Sequence, residues 1–332
     1  MKDRIKELFT NAESFRELGL LGFIVILSAA INMRNPTFLT VANIDTLLIN
    51  ASILSILAVG MMMVLLTRGI DLSIGATIAF SGMVCAQTVA AYPTLHPLVS
   101  MLQGVMIGLA VGLVIGLLVA RFNVLPIIAT LGMMNIVRGL TYMVSGGRWV
   151  SAYQMSNAFK SIATGRILGV NNLIIIAVVI YIIFYYFINH TKTGRQIYAV
   201  GSNPDAAEVS GIPKKRVITL VYTLMGALAG LAGVLWVARY ASAQGDTASG
   251  YELNVIAATV LGGVSLSGGS GKVSGLILGA LLFGILNNAL PLINVSPFWQ
   301  QAIQGLVILI AVIVNVIVKR RNEQQALRQR VI

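Results

Sequence analysis

The chain has 332 residues, of which 57% are hydrophobic and only 10% are charged, and its mean hydropathy is +0.87. Soluble domains carry about 25% charged residues, so this composition excludes an ordinary water-soluble fold, a disordered chain and a disulfide scaffold. The 23 Lys and Arg against 11 Asp and Glu give a net charge of +12. Because no basic run alternates with aromatic residues, we predict no nucleic-acid partner and a lipid bilayer as the solvent.

Apolar runs of about 20 residues, the length that crosses a bilayer as a helix, recur along the whole chain. They predict an all-α fold, a polytopic membrane helix bundle of about ten transmembrane spans. The predicted spans are Leu18–Met33, Ile44–Leu66, Ile74–Tyr92, Pro97–Ala120, Pro126–Val144, Asn172–Ile188, Val217–Val237, Leu253–Ser267, Val273–Ile293 and Trp299–Val318. The first and the eighth are short, which indicates a tilted, broken or re-entrant segment at each.

The basic residues predict the orientation of the bundle. If the N-terminus is inside, most Lys and Arg fall on the inner side. Cytoplasmic loops are rich in these residues, so both termini are predicted to be cytoplasmic. The predicted domains are an amphipathic cytoplasmic lead-in over 1–17, a transmembrane domain over 18–318 that includes a cytoplasmic loop over 189–216, and a basic cytoplasmic tail over 319–332.

Sequence signatures of catalysis are missing. The segment Gly268–Lys272 resembles a phosphate-binding loop, but Leu266 stands where the first glycine belongs and Val273 follows the lysine. The sequence has no H-E-x-x-H, no G-x-S-x-G and no acidic cluster that could hold a metal. We therefore predict a non-catalytic chain with no catalytic residue, no metal site and no cofactor bound directly. Gly268–Lys272 is interpreted as a flexible hairpin between spans.

Glycines recur at a spacing of four residues in three predicted spans. This spacing places small residues on one stripe of a helix, where they let two backbones approach closely inside a membrane. The pattern favours tight packing within the subunit, with a subunit contact or a sliding face as the alternatives. The glycines are Gly104, Gly108, Gly112, Gly116, Gly226, Gly230, Gly275 and Gly279.

Few polar residues interrupt the apolar runs, and they are the candidates for a translocation pathway. Intramembrane polar residues usually face the bundle interior or a pathway, although hydrogen bonding between helices explains the asparagines equally well. In Thr67–Gly75, Asp71 or Ser73 can cap the following helix, and Arg68 can pair with Asp71. An ion is costly at mid-membrane, so this segment is predicted near the inner surface or beside a wet cavity. The candidates are Asp71, Asn135, Arg138, Asn287 and Asn288.

The inner loop contains a short predicted helix, from Pro204 to Ser210. Asn203 suits the N-cap, Pro204 the first helical position, and Gly211 the position after the C-terminus. Asp205 interacts favourably with the positive end of the helix. A helix this short is unstable alone, so we expect it to dock in the groove of a partner, with a merely ordered loop as the alternative.

Several segments together are similar to one known family. They resemble the permease subunits of bacterial ATP-binding-cassette (ABC) sugar importers, of the ribose-type group related to branched-chain amino acid permeases. The resemblance extends from Asn35 to Val318, although Arg68 stands where the usual motif has glycine. The segments are Thr67–Gly75, Ile128–Gly132 with Arg138–Gly139, Thr193–Arg195, Asn203–Ile212, Gly250–Ala258, Val260–Gly263, Gly268–Gly271 and Asn287–Asn288.

The resemblance implies that 18–318 is a permease domain of the bacterial inner membrane. It would translocate a monosaccharide or related small sugar (ribose, rhamnose-like or autoinducer-2-type) by alternating access. Implied partners are ABC ATPase subunits that use ATP and Mg, a second permease subunit in a homodimer or heterodimer, and an extracytoplasmic sugar-binding protein. The inner helix looks like the coupling helix that contacts the ATPase. The implied ATPase-coupling residues are Gly194, Arg195, Asn203, Pro204, Asp205, Ala206, Ala207, Glu208 and Gly211.

The alternative function is a stand-alone, ion-coupled secondary transporter. Such transporters commonly use carboxylates buried in the membrane as relays. The sequence places no acidic residue convincingly at mid-membrane, which disfavours this alternative.

Overall fold

A computed structural model describes residues 12–329, with side chains described for 16–310 and for 312, 313 and 317. The described chain folds into thirteen α-helices, one 3₁₀ turn over Ala152–Gln154, and a two-stranded antiparallel sheet of β1 (Arg166–Ile167) and β2 (Val170–Asn171). The helices are α1 (Ala12–Arg34), α2 (Val41–Leu66), α3 (Ile74–Ala91), α4 (Pro97–Ala120), α5 (Pro126–Ser145), α6 (Asn157–Thr164), α7 (Asn172–His190), α8 (Lys192–Ser202), α9 (Pro204–Val209), α10 (Lys214–Tyr240), α11 (Tyr251–Leu261), α12 (Val273–Leu292) and α13 (Pro297–Gln329).

Eight helices of the described chain are long and apolar enough to cross a membrane. They are α1, α2, α3, α4, α5, α7, α10 and α12. The first predicted span, Leu18–Met33, was expected to be short, but its apolar helix is longer and runs over 19 residues from Arg16 to Arg34. The predicted tenth span lies within α13. These helices confirm the predicted polytopic membrane bundle.

The eighth predicted span, Leu253–Ser267, is broken, which is one of the alternatives that its short length indicates. Its helix, α11, has only 11 residues and ends at Leu261. Gly262 follows as the C-cap, and Gly263 adopts a left-handed backbone with φ of 84°, which glycine tolerates without steric cost. The apolar run therefore continues as a turn.

The predicted lead-in and tail fall partly outside the described residues. Helix α1 begins at Ala12, so it includes the last part of the lead-in predicted over 1–17. Helix α13 continues to Gln329 and includes most of the tail predicted over 319–332. Residues 1–11 and 330–332 lie outside the described part of the chain, and the three domain limits stay predictions.

Helix α10 lies at the centre of the bundle and packs on α4 through glycines. A Cβ atom added to Gly104 would lie 2.7 Å from the Gly230 carbonyl oxygen, and one added to Gly108 would lie 2.8 Å from the Gly230 Cα. One added to Gly226 would lie 2.7 Å from the Gly112 Cα. These contacts confirm that the glycine stripe of α4 serves packing within the subunit.

Two loops interrupt the helices of the bundle. We call loop 67–73, before α3, the first break, and loop 241–250, before α11, the second break. The Tyr222 hydroxyl, in the first half of α10, donates to the Ile70 carbonyl at 3.2 Å. A Cβ added to Gly75 would lie 2.6 Å from Oε2 of Glu252. The Tyr222 contact places the start of α3 beside the central helix α10. The Gly75 contact shows that α3 and α11 meet at their N-terminal ends.

Candidate functional sites

The first break is organised by Asp71, which is only 2% exposed. Its Oδ1 accepts the Ser73 backbone N–H at 2.8 Å and the Ser73 hydroxyl at 2.7 Å. The aspartate therefore fixes the turn that leads into α3, whereas Ser73 makes no side-chain cap bond of its own. The predicted local pair of Arg68 with Asp71 is wrong, because the Arg68 guanidinium donates to the backbone carbonyls of Gly201 and Ser202 instead.

The second break is organised by Arg138, at the middle of α5. Its Nη1 donates to the carbonyl oxygens of Gly245 and Thr247, both at 2.8 Å. Gly245 and Thr247 lie outside helix and sheet, so the guanidinium supplies these carbonyls with a donor that regular secondary structure does not. The guanidinium also interacts electrostatically with Glu252, in the first turn of α11.

Glu252 is the functional candidate that sequence reasoning missed. Its carboxylate is attracted by the Arg138 guanidinium and repelled by the Asp71 carboxylate, so three ionisable groups influence one another electrostatically where the two breaks touch. Asp71 is buried and Glu252 is half-buried in the bundle, and the expectation that no acidic residue lies at mid-membrane stays a prediction. The sequence contained one signal for Glu252. It is the second residue after Gly250, where the helix begins, and an acidic residue is favourable in the first turn of a helix.

The three candidate asparagines bond to partners other than Asp71 and Arg138. Asn288 and Asn43 exchange two amide hydrogen bonds, at 3.0 and 3.1 Å, between α12 and α2. Asn287 accepts from Gln304 of α13 at 2.8 Å. Asn135 donates to the Leu131 carbonyl of its own helix at 3.0 Å and is exposed. Their roles in a pathway stay predictions.

The predicted inner helix is confirmed to within one residue as α9, Pro204–Val209. Asn203 caps it, since Oδ1 accepts the backbone N–H groups of Asp205 at 3.2 Å and Ala206 at 3.0 Å. Pro204 occupies the first turn, and Gly211 ends the segment with a left-handed φ of 77°. The helix therefore forms from local capping, as the sequence predicts.

The two faces of α9 differ sharply. Ala207 is 5% exposed and faces the rest of the chain, whereas Val209 is 91% exposed. Asp205, Ala206 and Glu208 are also exposed. The outward face of α9 therefore combines one exposed apolar side chain with two charged ones.

Gly194 and Arg195 lie on α8, the helix that leads to α9. The Gly194 N–H donates to the Thr191 hydroxyl at 3.0 Å, and an added Cβ would lie 2.6 Å from the Phe187 carbonyl oxygen. Glycine is therefore required where α8 folds back against the end of α7. Arg195 is exposed on the same segment.

The bundle, its polar breaks and its exposed capped helix define a multi-pass membrane transport protein without a soluble domain among the described residues. The chain belongs to the family of permease components of branched-chain amino acid transport systems, which matches residues 43–312. It is accordingly a permease subunit of the ABC importer type, a multi-pass protein of the inner membrane.

Named relatives cover nearly the whole chain. It is 40% identical to the ribose import permease protein RbsC of Escherichia coli K12, over 93% of this chain and 96% of the relative. It is 41% identical to RbsC of Bacillus subtilis strain 168, over 90% and 91%. It is 36% identical to the L-arabinose transport system permease protein AraH of E. coli K12, over 97% and 96%. No solved structure matches the chain.

Proposed function

We propose that the chain is the translocation subunit of an ATP-driven importer for a monosaccharide or related small sugar. The observation that carries this proposal is the similarity to ribose and arabinose permeases over more than nine-tenths of both chains. Ribose and arabinose are therefore the first sugars to test, followed by rhamnose-like sugars and autoinducer-2-type furanoses. Sugar selectivity would lie mainly in an extracytoplasmic binding protein.

The proposed energy source is a pair of ABC ATPase subunits that bind ATP and Mg. The exposed face of α9 supports this, because the helix is capped, short and presents Val209 and Glu208 outward. Closure of the ATPases on ATP would move α9 and its counterpart together and open the permease pair outward. Hydrolysis would return the pair to the inward-open state and release the sugar inside.

The exposed face of α9 gives the test of this contact. We expect Val209→Asp and Glu208→Lys each to leave the amount of membrane-inserted permease unchanged and to reduce co-purified ATPase by about tenfold, because both side chains point away from the chain. Ala207→Arg is the matched control, since it places a charge on the buried face and should lower the amount of folded permease instead. Wild-type ATPase binding in both exposed-face variants would contradict the proposed contact.

A second permease subunit is proposed to cover one face of α5. Asn135 lies at the middle of this span with an exposed side chain, and the space beyond Gly132 and Gly139 is open to 4 Å. A polar amide facing lipid at this depth is costly, so a protein surface or a wet pathway between two permeases suits this face better. The second subunit would be a copy of this chain, in a homodimer, or a relative of it, in a heterodimer.

Photocross-linking tests the proposed face. A benzophenone side chain at position 135 should give an adduct of the mass of two permeases in the assembled transporter. Ile26 of α1, 70% exposed, provides the control position, which should label lipid only. Lipid adducts alone at both positions would contradict the assignment.

Reconstitution in liposomes separates the proposed function from its rival. The permease with its ATPase and binding protein should accumulate sugar only when ATP is supplied. Sugar uptake by the permease alone, driven by an imposed ion gradient, would establish the secondary transporter instead. The neighbouring genes offer an independent check, because they should encode the ATPase and the binding protein.

A further inference from the structure

The C-terminal end of α8 is held between two loops of the bundle. Arg68, in the loop after α2, donates from Nε to the Gly201 carbonyl at 2.6 Å and from Nη2 to the Ser202 carbonyl at 2.7 Å. On the other side, the Tyr198 hydroxyl donates to the Gly271 carbonyl at 2.7 Å, in the loop between α11 and α12. We call this set of contacts the α8 clamp.

The clamp has no room for adjustment at its centre. A Cβ added to Gly201 would lie 2.7 Å from the Gly269 nitrogen and 2.8 Å from the Leu66 carbonyl carbon. The Gly269 N–H in turn donates to the Leu66 carbonyl at 3.0 Å. The backbones of α2, α8 and the loop before α12 therefore touch directly, so a displacement of one is resisted by the other two.

Arg68 is suited to hold this end of α8 by charge as well as by geometry. The last carbonyls of a helix lack partners within the helix and carry partial negative charge, which a cation stabilises. The backbone of Arg68 is left-handed, with φ of 62°, a conformation that glycine adopts freely and arginine rarely. The turn itself would suit glycine, so the presence of arginine at this position indicates a role for its side chain.

The clamp connects α9 to the first break. Asn203 joins the clamped end of α8 directly to α9. From Arg68 the chain runs three residues to Asp71, which fixes the start of α3 through Ser73. Between them, the Ile70 carbonyl is held by Tyr222 of the central helix. A movement of α9 is thus transmitted to the start of α3 through the hydrogen bonds of Arg68 and Asp71.

We infer that Arg68 is a positioning residue that couples the movement of α9 to the break between α2 and α3. This inference rests on the proposed role of α9 as the ATPase contact. Without the guanidinium, α9 would still bind the ATPase, but its displacement would no longer be transmitted through the α8 end to Asp71. ATP hydrolysis would then continue with little sugar movement.

The test is the number of sugar molecules imported per ATP hydrolysed, measured in liposomes with the ATPase and binding protein. Arg68→Gly keeps the left-handed turn and removes the guanidinium, so we expect normal assembly, continued hydrolysis and a ratio about tenfold below wild type. Arg68→Lys should recover part of the ratio. Asn123→Gly is the control, because it relaxes another left-handed residue, with φ of 53°, and should leave the ratio unchanged.

Each outcome decides the inference. A wild-type ratio in fully assembled Arg68→Gly would overturn the role of Arg68 while leaving the proposed function intact. If Arg68→Gly does not accumulate, Arg68→Lys decides, since a lowered ratio supports the role and an unchanged ratio overturns it. If the wild-type complex shows no ATP-driven uptake, the proposed function fails and the role of Arg68 fails with it.

Discussion

Gly226→Leu should prevent assembly of the bundle. At this position α10 touches α4 backbone to backbone, and an added Cβ would lie 2.8 Å from the Gly112 nitrogen. A leucine would force the two helices apart over the most extensive helix contact of the described chain. Overpacking of a core costs about 1–3 kcal/mol when only side chains must shift, and we expect a cost at the top of that range or beyond because the obstacle here is backbone.

The measurement is the amount of monodisperse permease that can be extracted from membranes, with wild type and variant expressed together. We expect Gly226→Leu to fall to a small fraction of wild type. Gly22→Leu in α1 is the control, because no atom lies within 4 Å of a Cβ added there. Similar yields for both variants would mean that the α4 and α10 contact does not limit assembly.

This contact could be predicted from sequence because its signal is local. Four-residue spacing of glycines defines a stripe on a single helix, and inside a membrane such a stripe favours another helix backbone. The capped helix α9 was predictable for the same reason, since Asn203, Pro204 and Gly211 act within a few residues of one another. Short-range rules therefore gave the long helices and the exposed helix correctly.

The contact between α5 and the second break could not be predicted in this way. Arg138 and the carbonyl of Gly245 are 107 residues apart, and no spacing rule relates them. The sequence also suggested that Arg68 pairs with Asp71, because the two are near neighbours. In the fold, Arg68 donates to backbone carbonyls at the end of α8, and Asp71 accepts the Ser73 backbone N–H before α3. Each side chain therefore bonds a backbone group that would otherwise lack a partner, and not the other side chain.

The residue at which α11 ends escaped prediction for a different reason. The run Leu253–Ser267 is apolar enough for hydropathy to read it as one segment. Gly262 is a poor helix former, but a glycine inside an apolar run is also common in membrane helices that pack closely. In the fold, Gly262 caps the helix, the left-handed Gly263 turns the chain, and the Gly262 carbonyl lies against Gly275 of α12.

The contact between α5 and the second break leads to the second large effect, which we expect for Arg138→Leu. The substitution removes the donor shared by the carbonyls of Gly245 and Thr247 and leaves Glu252 without its opposing charge. Hydrogen bonds from a charged donor contribute about 1.5–3 kcal/mol, and the attraction between two half-buried charges adds less than about 1 kcal/mol. The purified variant should therefore unfold at a clearly lower temperature than wild type.

A double-mutant cycle separates the charge from the hydrogen bonds. Glu252→Gln removes the uncompensated carboxylate, so adding it to Arg138→Leu should recover part of the lost stability, although the two carbonyls would still lack their donor. Arg121→Leu, at an exposed turn, provides the control for loss of an arginine. Unfolding of Arg138→Leu at the wild-type temperature would show that water or lipid headgroups satisfy these groups, and that Arg138 does not hold the second break against α5.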